Sequence, residues 1–203
     1  MKITAIKQQV KRQGRYSIFV EGKYAFSLSD TALLQQKLSI GQELTESEIR
    51  ELKKLSDDDK IYNATLNYLA IRLRSKWEIE TYLKRKNASP PLSEEILNKL
   101  SINNLINDER FAKAYINDRQ LLRPSSKRKL MLELAQKHVP KEVIDEVLTE
   151  ETTDDIAALT EIIARKRKQS RYQDDQKLMQ YLSRQGFHYG DIKAALEQAT
   201  SDN

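Results

Sequence analysis

Cysteine is absent from the 203 residues, and glycine (five), proline (four) and histidine (two) are scarce. Without cysteine there are neither disulfides nor thiolate metal sites. The few glycines form no GxxxxGK[ST] or GxGxxG loop, so no backbone cradle for nucleotide phosphates is visible. His138 and His188 fall in loops of different segments, with no carboxylate spacing beside either, so no zinc site or catalytic base is assembled. The pairs Asp154-Asp155 and Asp174-Asp175 stand where helices begin and read as caps, not metal ligands. No apolar run approaches the roughly 18 residues that span a bilayer. The amino terminus alternates polar with apolar where a signal peptide would carry an apolar core. A non-enzymatic, cytoplasmic protein without metal or cofactor is expected.

What the chain has is charge and repetition. Charged residues make up 32% of it and leave a net charge of +5, with a pI near 9.2, a balance that favours polyanions or an acidic protein surface as partner. Residues 111–150 superpose on 159–198 at one constant offset of 48. Phe111 falls on Leu159, Arg119 on Arg167, Arg123 on Arg171, Leu130 on Leu178, Leu134 on Leu182, Ile144 on Ile192 and Leu148 on Leu196. An earlier copy fits with gaps: Tyr68, Leu69 and Arg72 on Tyr115, Ile116 and Arg119, then Ile79 and Leu83 on Leu130 and Leu134. Units too small to bury an apolar face alone stack on their neighbours. The expected fold is mainly α, an elongated curved stack of tandem three-helix repeats behind a small antiparallel β-strand and helix module. The expected divisions are 1–56 for that module and 57–106, 107–152 and 153–203 for the repeats.

Local signals fill in the elements. Alternation over Ile3 to Ile6, Tyr16 to Val20 and Tyr24 to Leu28 predicts three antiparallel strands, the last two joined at Glu21-Gly22. Asp30 to Leu38 predicts a short helix, and Thr45 to Glu48 has the form of a capping box. Lys11, Arg12 and Arg15 are expected to be exposed at the first turn. Asp57 to Asp59 are expected to open the first long helix, and Ser75 to Glu78 its successor through a second capping box. Pro90 and Pro91 are placed in the next loop, with Ser93 capping the third helix. The second repeat is expected to open at Asn107-Asp108, break at Pro124 to Ser126 and resume at Pro140. The third is expected to open near Thr153-Asp154, break near Ser170-Arg171, end its second helix at Gly186 and begin its last near Gly190-Asp191. Tyr68, Trp77, Tyr82, Phe111, Tyr115 and Tyr181 occupy apolar repeat positions and are expected as core anchors.

The candidate site is the repeated basic edge. Arg72, Arg119 and Arg167 are equivalent near the end of each first helix, with Arg74, Arg123 and Arg171 close behind. Lys76, Lys84, Arg85 and Lys86, then Lys127, Arg128 and Lys129, then Arg165, Lys166 and Lys168 crowd near them. Guanidinium forks in such a row could track phosphates or an acidic protein surface.

Three stretches resemble the RecX family, regulators of the RecA recombinase: Tyr68-Leu69-Ala70-Ile71-Arg72 running into Arg74-Ser75 and Glu78; Asn107-Asp108-Glu109-Arg110-Phe111-Ala112; and Tyr115 with Arg119. The strand-rich amino-terminal part also resembles that of longer RecX proteins from Gram-positive bacteria. Lys137-His138-Val139 departs from the Lys-Gly-aliphatic turn of the family, whereas Arg184-Gln185-Gly186-Phe187 is nearer to it. The resemblance implies a monomer that lies in the groove of the RecA nucleoprotein filament, limiting filament growth, strand exchange and coprotease activity, with single-stranded and also double-stranded DNA as partners. Two other readings stand beside it: a stand-alone, sequence-independent helical DNA-binding protein, and a metal-dependent phosphodiesterase, for which the acidic cluster is missing.

Overall fold

The computed structural model describes residues 1–150 and 155–201. The chain divides into two compact units, one of Met1–Arg72 with Glu80–Lys99, the other of Leu73–Ile79 with Leu100 onward.

The first unit opens with an antiparallel sheet in the order β1 (Ile3–Gln8), β2 (Arg15–Val20), β3 (Lys23–Ser29). The two-residue connection of β2 to β3 puts Glu21 at φ 48° and Gly22 at φ 75°, the doubly left-handed turn whose twist matches that of the strands. Inward residues Ile3, Ile18, Val20, Phe26 and Leu28 form a core with Ile49 and Leu52 of the long helix that follows. The short helix α1 (Asp30–Gln35) precedes α2 (Glu46–Ala70), which opens on the expected Thr45–Glu48 capping box.

Two expectations fail together here. Helix α2 is continuous for 25 residues, so Asp57 to Asp59 lie in its interior and open nothing, and it runs through the expected division at residue 56. Arg15 is not exposed but buried: its guanidinium donates to Asp59 Oδ2 (2.8 Å), Ser27 Oγ (3.0 Å) and the Ser27 carbonyl (2.9 Å). Asp59 in turn accepts from the Ser29 amide and hydroxyl and from Asn63. A charge leaves water only when paired and hydrogen-bonded, and this network lets one acid of an apparent start signal serve as the counter-ion of the sheet.

Helices α3 (Lys76–Arg85) and α4 (Pro90–Ile102) follow. The prolines begin α4 instead of occupying a loop: Ser89 caps it through the Leu92 amide, and Ser93 is already helical. Proline suits that first turn because its missing N–H has no intrahelical partner there.

In the second unit, α5 (Asp108–Leu122), α6 (Lys127–Gln136) and α7 (Lys141–Glu150) form one three-helix repeat, and α8 (Asp155–Arg167), α9 (Asp175–Arg184) and α10 (Tyr189–Ser201) the next. Asn107 and Ser126 cap α5 and α6, and Asp174 caps α9. A 3-10 turn, Ser170–Tyr172, stands at the expected break. The opening expected at Thr153-Asp154 lies outside the described residues. The seven pairs that superpose at the repeat offset include five apolar ones, and all ten of those side chains are buried. Each repeat holds its own core, around Leu130, Leu134 and Ile144 in one and Leu178, Leu182 and Ile192 in the other.

Candidate functional site

The cationic edge depends on how one repeat joins the next, and the same joint occurs twice. At the first, Ser75 Oγ donates to the Lys137 carbonyl (2.9 Å) while the Lys76 amide donates to Asp108 Oδ1 (2.8 Å). At the second, Ser126 Oγ donates to the Gln185 carbonyl (3.2 Å) while the Lys127 amide donates to Asp155 Oδ1 (2.9 Å). Ser75 also forms the expected capping box with Glu78. In both joints a helix cap of one repeat reaches the last-turn carbonyl of the next, and the acid at that repeat's start covers a helix amino terminus. The acid explains how α6 can begin on Lys127, Arg128 and Lys129 against its own macrodipole: the carboxylate comes from the following repeat.

A left-handed residue ends the second helix of each repeat: Asn87 (φ 57°), His138 (φ 54°) and Gly186 (φ 88°). Gly186 has no alternative, since a Cβ there would lie 2.5 Å from Ser126 Oγ. His138 takes the same conformation with a side chain and stacks on Trp77 with ring centroids 4.3 Å apart. Trp77 is therefore not a core anchor; it is 38% exposed on the first joint.

A recess of about 580 Å³ opens between the second and third repeats. From the second repeat it is lined by Arg119, Leu122, Arg123, Lys129 and Glu133, and from the third by Arg165, Lys166, Tyr181 and Gln185. Five cations thus face one carboxylate. Glu133 is already engaged: it accepts from Arg119 Nη2 (2.8 Å) and from the Tyr115 hydroxyl (3.0 Å), which itself accepts from Arg119. Burial works against the Arg119 charge, but the Tyr115 hydroxyl and Glu133 outweigh it and raise the Arg119 pKa further. Burial, with Glu133 adding to it, raises that of Tyr115 against the pull of Arg119. Lys129 Nζ donates to Gln185 Oε1 (2.8 Å) and the Arg184 carbonyl (3.1 Å). Lys166 rests over the rings of Tyr181 (4.6 Å) and Tyr172 (5.1 Å). Among the described residues no carboxylate pairs with Arg123, Arg165 or Lys166.

Of the basic residues read from the sequence, the recess brings together Arg119, Arg123, Lys129, Arg165 and Lys166. It does not gather the rest. Arg167, the repeat equivalent of Arg119, turns to the carbonyls of Tyr172 and Gln173 and to Asp175, so these two arginines clamp their own repeats instead of forming an open row. Arg171 lies over Tyr172, and Lys168 and Arg128 are exposed elsewhere on the unit. Lys127 contributes its amide to the joint; Lys76 is exposed and Arg74 half-buried beside the first joint. In the first unit Arg72 is exposed, and Arg85 and Lys86 sit over the face of Tyr82, which stacks on Tyr68 at 4.2 Å. The aromatic positions are thus supports for cations as well as core, a pairing that worth about 0.5–2 kcal/mol makes structurally relevant. Tyr181 and Gln185 carry no sequence signal as site residues; their convergence with the cations depends on the inter-repeat joint, which no periodicity displays.

Four family models match the chain in order: the regulatory protein RecX N-terminal domain over residues 1–45, and the first, second and third three-helix domains of RecX over 62–100, 107–148 and 153–196. Relatives named regulatory protein RecX include one from Listeria monocytogenes, 34% identical over all of this chain and 77% of its own length, and one from Bacillus subtilis, 31% identical over 99% of this chain and 78% of its own. A crystal structure of regulatory protein RecX superposes with a TM-score of 0.71 at 29% identity, covering 97% of this chain and 98% of that one. A RecX structure from Lactobacillus salivarius gives 0.59 at 26% identity, over 70% of this chain and 96% of that one.

Proposed function

Since the chain belongs to the RecX family, whose members carry the name of regulatory proteins, we propose that it regulates the RecA recombinase by binding and not by catalysis. In this reading it lies in the groove of the RecA–DNA filament and lowers recombinase, ATPase and coprotease activity during recombination, DNA repair and the SOS response in the cytoplasm. The observation that carries the reading is the recess, where five cations converge on one already engaged carboxylate. Such a field attracts an acidic surface or a phosphate backbone. RecA-dependent ATP hydrolysis on single-stranded DNA should fall as the protein approaches a modest ratio to RecA. An unchanged rate at saturating protein, with no co-sedimentation with filaments, would refute the proposal.

The same recess favours a second reading, stand-alone binding of DNA without sequence preference. The third helix of the second repeat, α7, exposes Glu142, Asp145, Glu146 and Glu150, and such a helix is repelled from a duplex groove. About five phosphate contacts along the basic surface give a log-log salt slope of about −4 to −5 on duplex, at roughly 0.9 per phosphate. Tight binding in the absence of RecA would favour this reading over the first.

A further inference from the structure

The two joints are built alike but charged differently. At the first, Glu78 faces Lys137 (3.6 Å), and the end of α5 carries Asn117 and Asp118. The repeat-equivalent positions at the second joint hold Lys129 in place of Glu78, Arg165 in place of Asn117 and Lys166 in place of Asp118. A merely solvated face would mix signs at both joints, as the first joint does. Three substitutions at once, all toward positive charge and all lining one recess, call for a different account. The fold does not require them, since the first joint makes the same serine-to-carbonyl and amide-to-aspartate bonds without them.

We propose that the recess between the second and third repeats is a binding site for a chain of phosphates, and that the first joint is not. Arg123 and Arg165 are exposed at its rim and can close on successive phosphates, while Lys166, held over Tyr172 and Tyr181, supplies a fixed charge within it. The shared chemistry is consecutive anionic phosphates, whether the phosphodiesters of a nucleic-acid strand or a free polyphosphate. The inference rests on the nucleic-acid part of the proposed function and names where that contact is made.

The test gives the second joint the residues of the first. Arg165→Asn with Lys166→Asp introduces side chains that the equivalent joint already accommodates; adding Lys129→Glu completes the exchange. A control of equal charge change, Lys11→Gln with Lys23→Glu, alters exposed positions of the sheet module. Binding is measured by anisotropy with a labelled oligo-thymidine across a salt series, and by calorimetry with inorganic tripolyphosphate, alongside a thermal melt. The recess double variant should bind the strand about tenfold more weakly. Its salt slope should be shallower by roughly 1.4, at about 0.7 per phosphate on a single strand, while the control keeps the parental slope. Loss confined to tripolyphosphate identifies the free polyphosphate as the source. Equal losses in recess variant and control, or no loss with either probe in a folded variant, overturn the proposal. A recess variant that loses both probes yet still co-sediments with RecA filaments leaves the regulator reading standing on its own.

Discussion

Replacing Gly186 by alanine isolates what the second joint demands. At φ 88° the new residue pays the left-handed penalty of about 1–2 kcal/mol. Its Cβ would also lie 2.5 Å from Ser126 Oγ and 2.9 Å from Lys129 Cβ. The serine is 1% exposed and cannot yield cheaply: its hydroxyl donates to the Gln185 carbonyl and accepts from the Lys129 amide, which caps α6. Displacing it strands buried polar groups at about 1–3 kcal/mol. The sum is about 2–5 kcal/mol. Two companions separate the contributions. Gly22→Ala has the same sign of φ, 75°, but nothing within 4 Å of the added carbon, and should cost only about 1–2 kcal/mol. His138→Gly, at the equivalent turn, trades relief of backbone strain against loss of the Trp77 stack, worth about 0.5–1.5 kcal/mol, and should fall within about 1 kcal/mol of the parent. Urea denaturation followed by circular dichroism ranks the three. A Gly186→Ala protein no less stable than Gly22→Ala would refute the claim that the joint is packed around that position.

Removing the buried partner of Arg15 by Asp59→Ala should cost about 3–5 kcal/mol and be visible as a lowered urea midpoint; an unchanged midpoint would show that the serine hydroxyl and carbonyls suffice alone. The Thr45 backbone amide and hydroxyl hold Glu48 below its ordinary value of 4.5, so its contribution is present above that pH and lost as pH falls through the depressed folded value. Glu48→Gln should accordingly lower the melting temperature at pH 7, with the gap from the parent closing in acid. Asp58 is shifted the other way by desolvation, so Asp58→Asn should raise the melting temperature at pH 7, and a fall there would contradict the assignment. Phe111, 4% exposed, should cost about 3–5 kcal/mol as alanine, whereas Arg123→Glu at the rim should leave the melt within about 0.5 kcal/mol and weaken filament co-sedimentation.

The repeat was legible because burial follows identity at fixed spacing: Leu130 and Leu178, or Ile144 and Ile192, are apolar for the same packing reason. Strands, the Glu21-Gly22 turn and the capping boxes were legible because their signals are local. Asp57 to Asp59 misled because an acidic triplet at a helix start and one inside a helix look alike; only the partner, Arg15, 44 positions away, tells them apart. Pro90 misled in the other direction, since a proline breaks a helix or begins one according to what precedes it. The basic edge was partly visible as composition. Which cations are occupied and which are not was invisible, because Arg119, Lys129 and Arg167 are engaged by residues from other helices, through contacts that leave no spacing rule.

A joint whose two halves lie on different ends of the same repeat has an evolutionary corollary. Ser126 reaches forward from the repeat whose own Lys137 carbonyl receives Ser75 from behind, so each duplicated stretch brings a plug and a socket together. In-frame copying of one such segment inherits a working interface without a second mutation to match it. Divergence is then free to act on the side chains around the joint, as the exchange of Glu78 for Lys129 shows, and two descendants of one ancestral seam can come to serve different ends.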